Sequence, residues 1–190
     1  NADHVLVGGI NIWRSTNGGT SWTINAHWTG SGAPYVHADI HALEYLPGSA
    51  TTYYAGSDGG LSRTTNSGTA WSDLSNGLQI AQIYRVGLSA TNQNLLLTGW
   101  QDNGTNRWTG GTTWAEVLGG DGMEAIIDHS NANVQYGELY YGEINRTTTG
   151  GNLTTTIVQS GGTGVNADGE WVTPYIMNPL RAATLLVGKA

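Results

Sequence analysis

A short apolar run that ends in glycine recurs along the chain, and this repeat limits the fold more than any other feature. The steps between the glycines of successive copies are 48, 43, 38 and 51 residues. Such a period predicts a fold built from equal supersecondary units stacked along the chain. The five runs are VLVGG, YYAGS, LLTGW, VQYGE and LLVGK, with the glycines Gly8, Gly56, Gly99, Gly137 and Gly188.

The sequence around these runs indicates three further strands in each unit. A second strand follows each of the first four runs and has an arginine near its end, and a glycine turn and a third strand follow it. Another strand precedes runs two to five. Four short strands per unit of about 45 residues are the blade of a β-propeller. The sequence therefore predicts an all-β propeller of four-stranded antiparallel blades, with repeats at approximately 1–36, 37–81, 82–120, 121–170 and a partial one at 171–190.

The number of predicted strands bears on the size of the propeller. The pattern gives seventeen strands if DGMEAIID at 121–128 is read as a strand in phase with the other repeats. A closed ring of four blades needs sixteen strands. The chain also begins with Asn1 rather than Met. We therefore expect a single propeller segment that belongs to a larger propeller, whose remaining blades come from the same or another chain.

Two predicted hairpins share one phrase, STNGGTSW at 15–22 and TTNSGTAW at 64–71. Glycine adopts the positive φ that a tight hairpin needs. Side-chain oxygens of Ser, Thr and Asn can accept hydrogen bonds from turn amides, and the tryptophan can cover the turn. We interpret the phrase as structural, with the roles carried by Ser15, Asn17, Gly19 and Trp22, and by Thr64, Asn66, Gly68 and Trp71.

The phrase resembles the Asp-box, or bacterial neuraminidase repeat, Ser/Thr-x-Asp-x-Gly-x-x-Trp, with Asn17 and Asn66 at the aspartate position. Two further hairpins have Thr109 and Thr149 there. Longer phrases such as VHADIHALEYLPG and YAGSDGGLSRTT resemble propellers of large secreted bacterial surface proteins, and xyloglucanase-type and sortilin-type propellers are more distantly similar. The resemblance implies an extracellular or cell-surface protein.

Composition excludes several classes of partner and site. Lys and Arg number 7 against 14 Asp and Glu, so no basic stripe is present for a nucleic acid backbone. Cysteine is absent, which excludes disulfides and thiolate metal sites. No apolar run approaches the length of a membrane span. The remaining partners are glycans and extracellular proteins.

One face of the predicted propeller collects most of the candidate ligand-binding residues. It is formed by the connections away from the Asp-box hairpins, and 8 of the 14 acidic residues fall on it. Tryptophan and tyrosine there could stack on sugars. The alternative is that Asp-Gly pairs only shape turns. The candidates are His37, Asp39, His41, Trp100, Gln101, Asp102, Asp121, Glu124, Tyr141 and Trp171.

The segment HADIH at 37–41 is the most concentrated set of potential ligands. Strand alternation would place His37, Asp39 and His41 on one face. A zinc or calcium ion there is the alternative to a hydrogen-bonded polar row, which we favour because no second ligand cluster has recognised spacing. No cofactor is expected, and bound calcium is the alternative.

Two functional classes follow from these features. The favoured one is a secreted or cell-surface module for binding, adhesion or structural interaction, directed at glycans or protein partners. The alternative is a glycoside hydrolase, which needs two facing carboxylates about 5 to 10 Å apart. Its catalytic candidates are Asp39, Asp58, Asp102 and Asp121.

Overall fold

The computed structural model describes residues 3–78, 80–162, 165 and 167–189, and this part of the chain forms five antiparallel sheets. Strands that neighbour one another in a sheet also follow one another in sequence. The first sheet has three strands, the next three have four each, and the last has two. The strands are β1 (Val5–Gly8), β2 (Ile12–Ser15), β3 (Thr23–Ala26); β4 (Ile40–Tyr45), β5 (Tyr53–Ser57), β6 (Gly60–Thr64), β7 (Ser72–Asp73); β8 (Ile83–Leu88), β9 (Leu96–Trp100), β10 (Gly104–Trp108), β11 (Trp114–Leu118); β12 (Ala125–Ile127), β13 (Gln135–Leu139), β14 (Glu143–Thr147), β15 (Thr155–Val158); β16 (Tyr175–Asn178) and β17 (Arg181–Val187).

This arrangement confirms the predicted fold class, a partial β-propeller of four-stranded antiparallel blades. The segment at 121–128 contains strand β12, as its phase in the repeat predicted. In the described residues the helical content is one short 3₁₀ turn, Tyr140–Gly142, and no helix is long and apolar enough to cross a membrane. The predicted repeat boundaries stay a prediction.

The chain divides into two compact units, Asn1–Gln79 and Ile80–Ala190. The core of the first unit lies between its two sheets and contains Ile12, Ala26, Val36 and Ala55, all at most 3% exposed. The second unit has two clusters of buried apolar side chains. One contains Leu95, Leu97, Val117, Ala125, Ile127 and Leu153; the other contains Tyr136, Ile144 and Tyr175.

The recurring glycine has a packing role where one sheet approaches the next. A Cβ on Gly8 would lie 2.5 Å from Cγ2 of Ile40, which begins the next sheet. A Cβ on Gly99 would lie 2.0 Å from the carbonyl oxygen of Met123. Because no side chain fits at these distances, glycine in these strands permits close packing of successive blades.

The recurring arginine joins one blade to the hairpin of the next. Nη1 of Arg14 in β2 donates to the carbonyl oxygen of Ser67 at 3.2 Å. Nη1 of Arg107 in β10 donates to the carbonyl oxygens of Gly150 and Gly151, the latter at 2.8 Å. In each case the acceptor lies in the hairpin of the following sheet. The period of the arginines was visible in the sequence, but their partners were not.

The two hairpins with the shared phrase have the same hydrogen bonds. Ser15 Oγ donates to Asn17 Oδ1 at 2.9 Å and accepts from Gly19 N at 2.8 Å. In the second hairpin Thr64 Oγ1 donates to Asn66 Oδ1 at 3.0 Å and accepts from Gly68 N at 2.9 Å. Gly19 and Gly68 have φ of 89° and 84°. In both hairpins a hydroxyl of the phrase thus accepts from a turn amide, and the interpretation of the phrase as structural stays a prediction.

The tryptophans that close these hairpins differ in their environments. Trp22 is 38% exposed and its Nε1 donates to the carbonyl oxygen of Gly19 at 3.0 Å. Trp71 packs against the core of the first unit, and its ring centroid lies 5.4 Å from that of Tyr53. The same sequence position therefore covers the turn in one blade and extends the core in the other.

Candidate functional site

Three exposed aromatic rings meet in the second unit, and we call Tyr140, Tyr141 and Trp171 the aromatic surface. The rings of Tyr140 and Trp171 are stacked, with centroids 5.3 Å apart and planes at 7°. The Tyr141 ring stands edge-on to both, at 5.7 Å from Tyr140 and 5.5 Å from Trp171. The exposed fractions are 41%, 51% and 39% in sequence order. Of these residues, Tyr141 and Trp171 were predicted as ligand-binding residues.

Backbone geometry holds the aromatic surface in place. Tyr140 and Tyr141 lie in the tight connection between β13 and β14, where Tyr141 has φ of 61° and Gly142 has φ of 74°. A positive φ is uncommon outside glycine and needs support from the surroundings. The carbonyl oxygen of Tyr141 accepts a hydrogen bond from Gly169 N at 3.0 Å. This bond joins the turn to the connection that carries Trp171.

Polar groups border the aromatic surface. Trp171 Nε1 donates to the hydroxyl of Tyr84 at 3.3 Å, and that hydroxyl donates to Oε1 of Gln101. Gln101 was predicted as a ligand-binding residue. Tyr84 was not predicted, because it lies within strand β8, where a tyrosine is ordinary. A hydroxyl and an amide next to exposed rings offer hydrogen-bond partners to a polar ligand.

A buried glutamate lies behind the aromatic surface. Glu138 in β13 is 0% exposed and precedes Tyr140 by two residues. Burial raises its pKa to about 7, although the hydrogen bonds that the carboxylate accepts lower the pKa. The prediction from sequence missed this residue. The one available signal is an acidic residue inside the apolar run VQYGEL.

Glu124 lies half-buried beside this glutamate. Its Oε2 forms an ion pair with Nε of Arg85 at 3.3 Å. Burial raises the pKa of Glu124, and Arg85 opposes the shift. The Tyr175 hydroxyl donates to the carbonyl oxygen of Glu124 at 3.1 Å, and burial raises the pKa of this tyrosine well above its usual value. The predicted candidate Glu124 therefore belongs to a partly buried polar group.

Asp102 and Asp121, two of the predicted catalytic candidates, meet in the second unit. Oδ1 of Asp121 accepts a hydrogen bond from the backbone N of Asp102 at 2.8 Å, and Asp102 has φ of 57°. Such a contact between a side chain and a turn amide is expected if these aspartates only shape turns, which was the alternative to ligand binding. Trp100, predicted to bind ligand, packs on Trp114 at a centroid distance of 5.4 Å and donates from Nε1 to Thr98 Oγ1 at 2.6 Å.

The HADIH segment in the first unit differs from the predicted row of three ligands. Strand β4 begins at Ile40, and Asp39 has φ of 60°, so strand alternation does not extend across residues 37–41. The prediction was wrong on this geometry because a left-handed residue turns the chain. His37 Nδ1 lies 3.2 Å from the carbonyl oxygen of Ala38, whereas His41 Nε2 contacts Asp58 Oδ1.

The other two catalytic candidates, Asp39 and Asp58, are neighbours in the first unit. Each places a carboxylate oxygen within 4.8 Å of the other. Carboxylate oxygens such as those of Asp39 and Asp58 are the ligands that hard cations prefer. The catalytic role of these four aspartates stays a prediction.

The fold and the aromatic surface define a partial β-propeller with a candidate ligand-binding face. No protein-family model matches the chain, and no curated protein matches it significantly. Among solved structures, the chain is similar to a GH74 enzyme of Niastella koreensis (19% identity, TM-score 0.45) and to the GH74 xyloglucanase of Xanthomonas campestris (12% identity, TM-score 0.46). In both cases 98% of this chain is covered and 33% of the other.

A third similar structure is YCF48 bound to D1 peptide, with 12% identity, a TM-score of 0.40, and coverage of 98% of this chain and 58% of that one. The chain thus spans about a third of the length of the two GH74 enzymes and somewhat over half of YCF48. The assignment of the fold rests on the sheets described above.

Proposed function

We propose that this chain is a secreted or cell-surface propeller module that binds neutral glycans through the aromatic surface. The observation that carries the proposal is the exposed group of Tyr140, Tyr141 and Trp171 beside the Tyr84 hydroxyl and the Gln101 amide. The face of an aromatic ring is electron-rich, so it attracts the C–H hydrogens on the flat side of a pyranose. The neighbouring hydroxyl and amide supply hydrogen bonds to sugar hydroxyls.

Charge favours a neutral sugar over an anionic one. The chain has a formal net charge of -7, and the second unit carries Asp102, Asp121 and Glu124 on the connections of the candidate face. A sulfated or uronic acid glycan would be repelled by these carboxylates, and the repulsion would be strongest at low salt. A neutral β-glucan has no such penalty.

The test is binding of a panel of neutral and acidic oligosaccharides by isothermal titration calorimetry. We expect neutral β-glucan oligosaccharides to bind, and Trp171→Ala to weaken binding about fivefold, because stacking on an aromatic ring contributes on the order of 1 kcal/mol per contact. Trp28→Ala is the matched control, since Trp28 is 50% exposed but lies in the first unit. Equal affinity of the two variants would contradict the proposal.

A glycoside hydrolase is the second candidate. The raised pKa of the half-buried Glu124 favours it, because a general acid must stay protonated at working pH. Release of new reducing ends from a β-glucan would support hydrolysis, and its loss in Glu124→Gln with retained binding would assign the acid. Binding without any release supports the binding module.

A further inference from the structure

The carboxylate of Glu138 joins two connections of the candidate face. Its Oε1 accepts from Thr173 N at 2.7 Å and its Oε2 accepts from Glu124 N at 3.1 Å. The two connections are also bonded through backbone contacts, since Glu138 N donates to the carbonyl oxygen of Glu124 at 3.0 Å and Gly169 N donates to that of Tyr141. A single buried side chain therefore contacts the segments on both sides of the aromatic surface.

Thr173 connects the Glu138 carboxylate to the segment that carries Trp171. It is 0% exposed, follows Trp171 by two residues, and its hydroxyl donates to the carbonyl oxygen of Glu170 at 2.9 Å. The connection that carries Trp171 is thus fixed on one side by Gly169 and on the other by Thr173. If the Thr173 amide leaves Glu138, the connection loses a buried hydrogen bond two residues after Trp171.

The carboxylate of Glu138 takes part in no ion pair in the part of the chain that the structure describes. Within the described residues the ion pairs are those of His41 with Asp58 and of Arg85 with Glu124, so Arg85 acts on the neighbouring glutamate rather than on Glu138. The titratable groups that face it are Glu124, a like charge, and the buried Tyr175, next to Tyr136. Lys189 lies beside Gly142 and Thr173, and its Nζ is buried without a hydrogen-bond partner.

We infer that Glu138 is a positioning residue for the aromatic surface, and that proton binding at its carboxyl favours the closed form, in which Thr173 stays bonded to Glu138. Glycan binding is then tighter in acid than in weak base. This inference rests on the proposed function. Glu138 does not touch the ligand in this account; it acts through Thr173 and Trp171.

The direction of the pH dependence follows from the arrangement, closed or open, in which Glu138 binds its proton more tightly. In the closed arrangement burial raises the pKa of Glu138 from 4.5 to about 7. When the connection opens, water reaches the carboxyl and its pKa returns towards the ordinary value. The closed form is therefore favoured fully below about pH 4.5, and this advantage is lost as the pH rises to about 7. Between pH 5 and 8 the limiting change in affinity is about 70-fold, which applies when the open form predominates in the free protein at both pH values.

Hydrogen exchange tests the positioning role without any ligand. We expect the opening equilibrium of the Thr173 amide, corrected for the intrinsic pH dependence of exchange, to rise at least fivefold from pH 5 to pH 8. Glu138→Gln keeps the shape and removes the charge, so its profile should be flat. Glu116→Gln, at an exposed position, should behave like the unmodified chain. If Glu138→Gln does not fold, the pH series of the unmodified chain decides alone, and a flat series overturns the inference.

Binding of cellohexaose at pH 5 and pH 8 tests the coupling, because this sugar has no titratable group. We expect its Kd to be at least threefold higher at pH 8 for the unmodified chain and for Glu116→Gln, and unchanged for Glu138→Gln. Binding that does not vary with pH overturns the inference and leaves the proposed function standing. If cellohexaose does not bind at either pH, the proposed function fails for this sugar, and the exchange profile still decides whether Glu138 positions the connection.

Discussion

Replacing Thr64 by Val tests the hairpin that the repeated phrase builds. Thr64 is 1% exposed, and its hydroxyl makes three hydrogen bonds. It donates to Asn66 Oδ1 at 3.0 Å and accepts from Gly68 N at 2.9 Å and Asn66 N at 3.3 Å. Valine has the same shape and keeps the β-branched fit to the strand, so the substitution removes the hydrogen bonds with little change in packing.

The expected loss follows from the groups left without partners. The bond to Gly68 N is buried, and an unsatisfied buried donor costs about 1–3 kcal/mol. Asn66 Oδ1 keeps the hydrogen bond from Ala70 N at 2.9 Å. Losing the bond from the Thr64 hydroxyl therefore costs only the net value of one hydrogen bond, about 1 kcal/mol. Together these give a decrease in the free energy of unfolding of about 2–4 kcal/mol for the first unit.

Urea unfolding followed by tryptophan fluorescence measures this loss, since Trp71 closes the same hairpin. Thr69→Val is the matched control, because the Thr69 hydroxyl makes one exposed hydrogen bond, to the carbonyl oxygen of Asn66 at 3.0 Å. We expect the control to lose less than about 1 kcal/mol. If Thr64→Val is no less stable than Thr69→Val, the hydroxyl does not hold the turn and the structural interpretation of the phrase is wrong.

Two further substitutions test the packing of successive blades in the second unit, each by urea unfolding. Arg107→Met removes charged hydrogen bonds to hairpin carbonyls and should cost about 2 kcal/mol, whereas the exposed Arg181→Met should cost almost nothing; equal effects would contradict the role of the recurring arginine. Gly99→Ala places a methyl group 2.0 Å from the Met123 carbonyl oxygen and should cost about 3 kcal/mol or more. Gly9→Ala meets no atom within 4 Å, and a similar loss in both glycine variants would argue against close packing at Gly99.

The period of the sequence was enough to predict the sheets. The glycine-ended runs, the arginines and the hairpin glycines are local signals that repeat in phase, and repetition makes each copy support the others. The segment at 121–128 was assigned to a strand by its phase in the repeat, and it contains β12 at Ala125–Ile127. The fold could therefore be predicted because the same local rule applies several times.

The candidate site could be predicted only in part. Exposed aromatic residues in connections, such as Tyr141 and Trp171, are visible in the sequence because their place in the repeat assigns them to one face. Glu138 was missed, because its burial and its bond to Thr173 depend on a connection that returns 35 residues later. The HADIH geometry was wrong because nothing in the alternation of residues signals the positive φ of Asp39. Contacts between distant connections and single left-handed residues carry no periodic signal.

The position of a bound sugar tests the central claim most directly. A crystal structure of the chain with cellohexaose would show whether the oligosaccharide lies on the aromatic surface. We predict a pyranose ring parallel to the exposed face of Trp171 or Tyr140, with hydroxyls near Tyr84 and Gln101. A sugar bound in the first unit, with the rings of Tyr140, Tyr141 and Trp171 uncovered, would contradict the claim that the aromatic surface is the glycan-binding site.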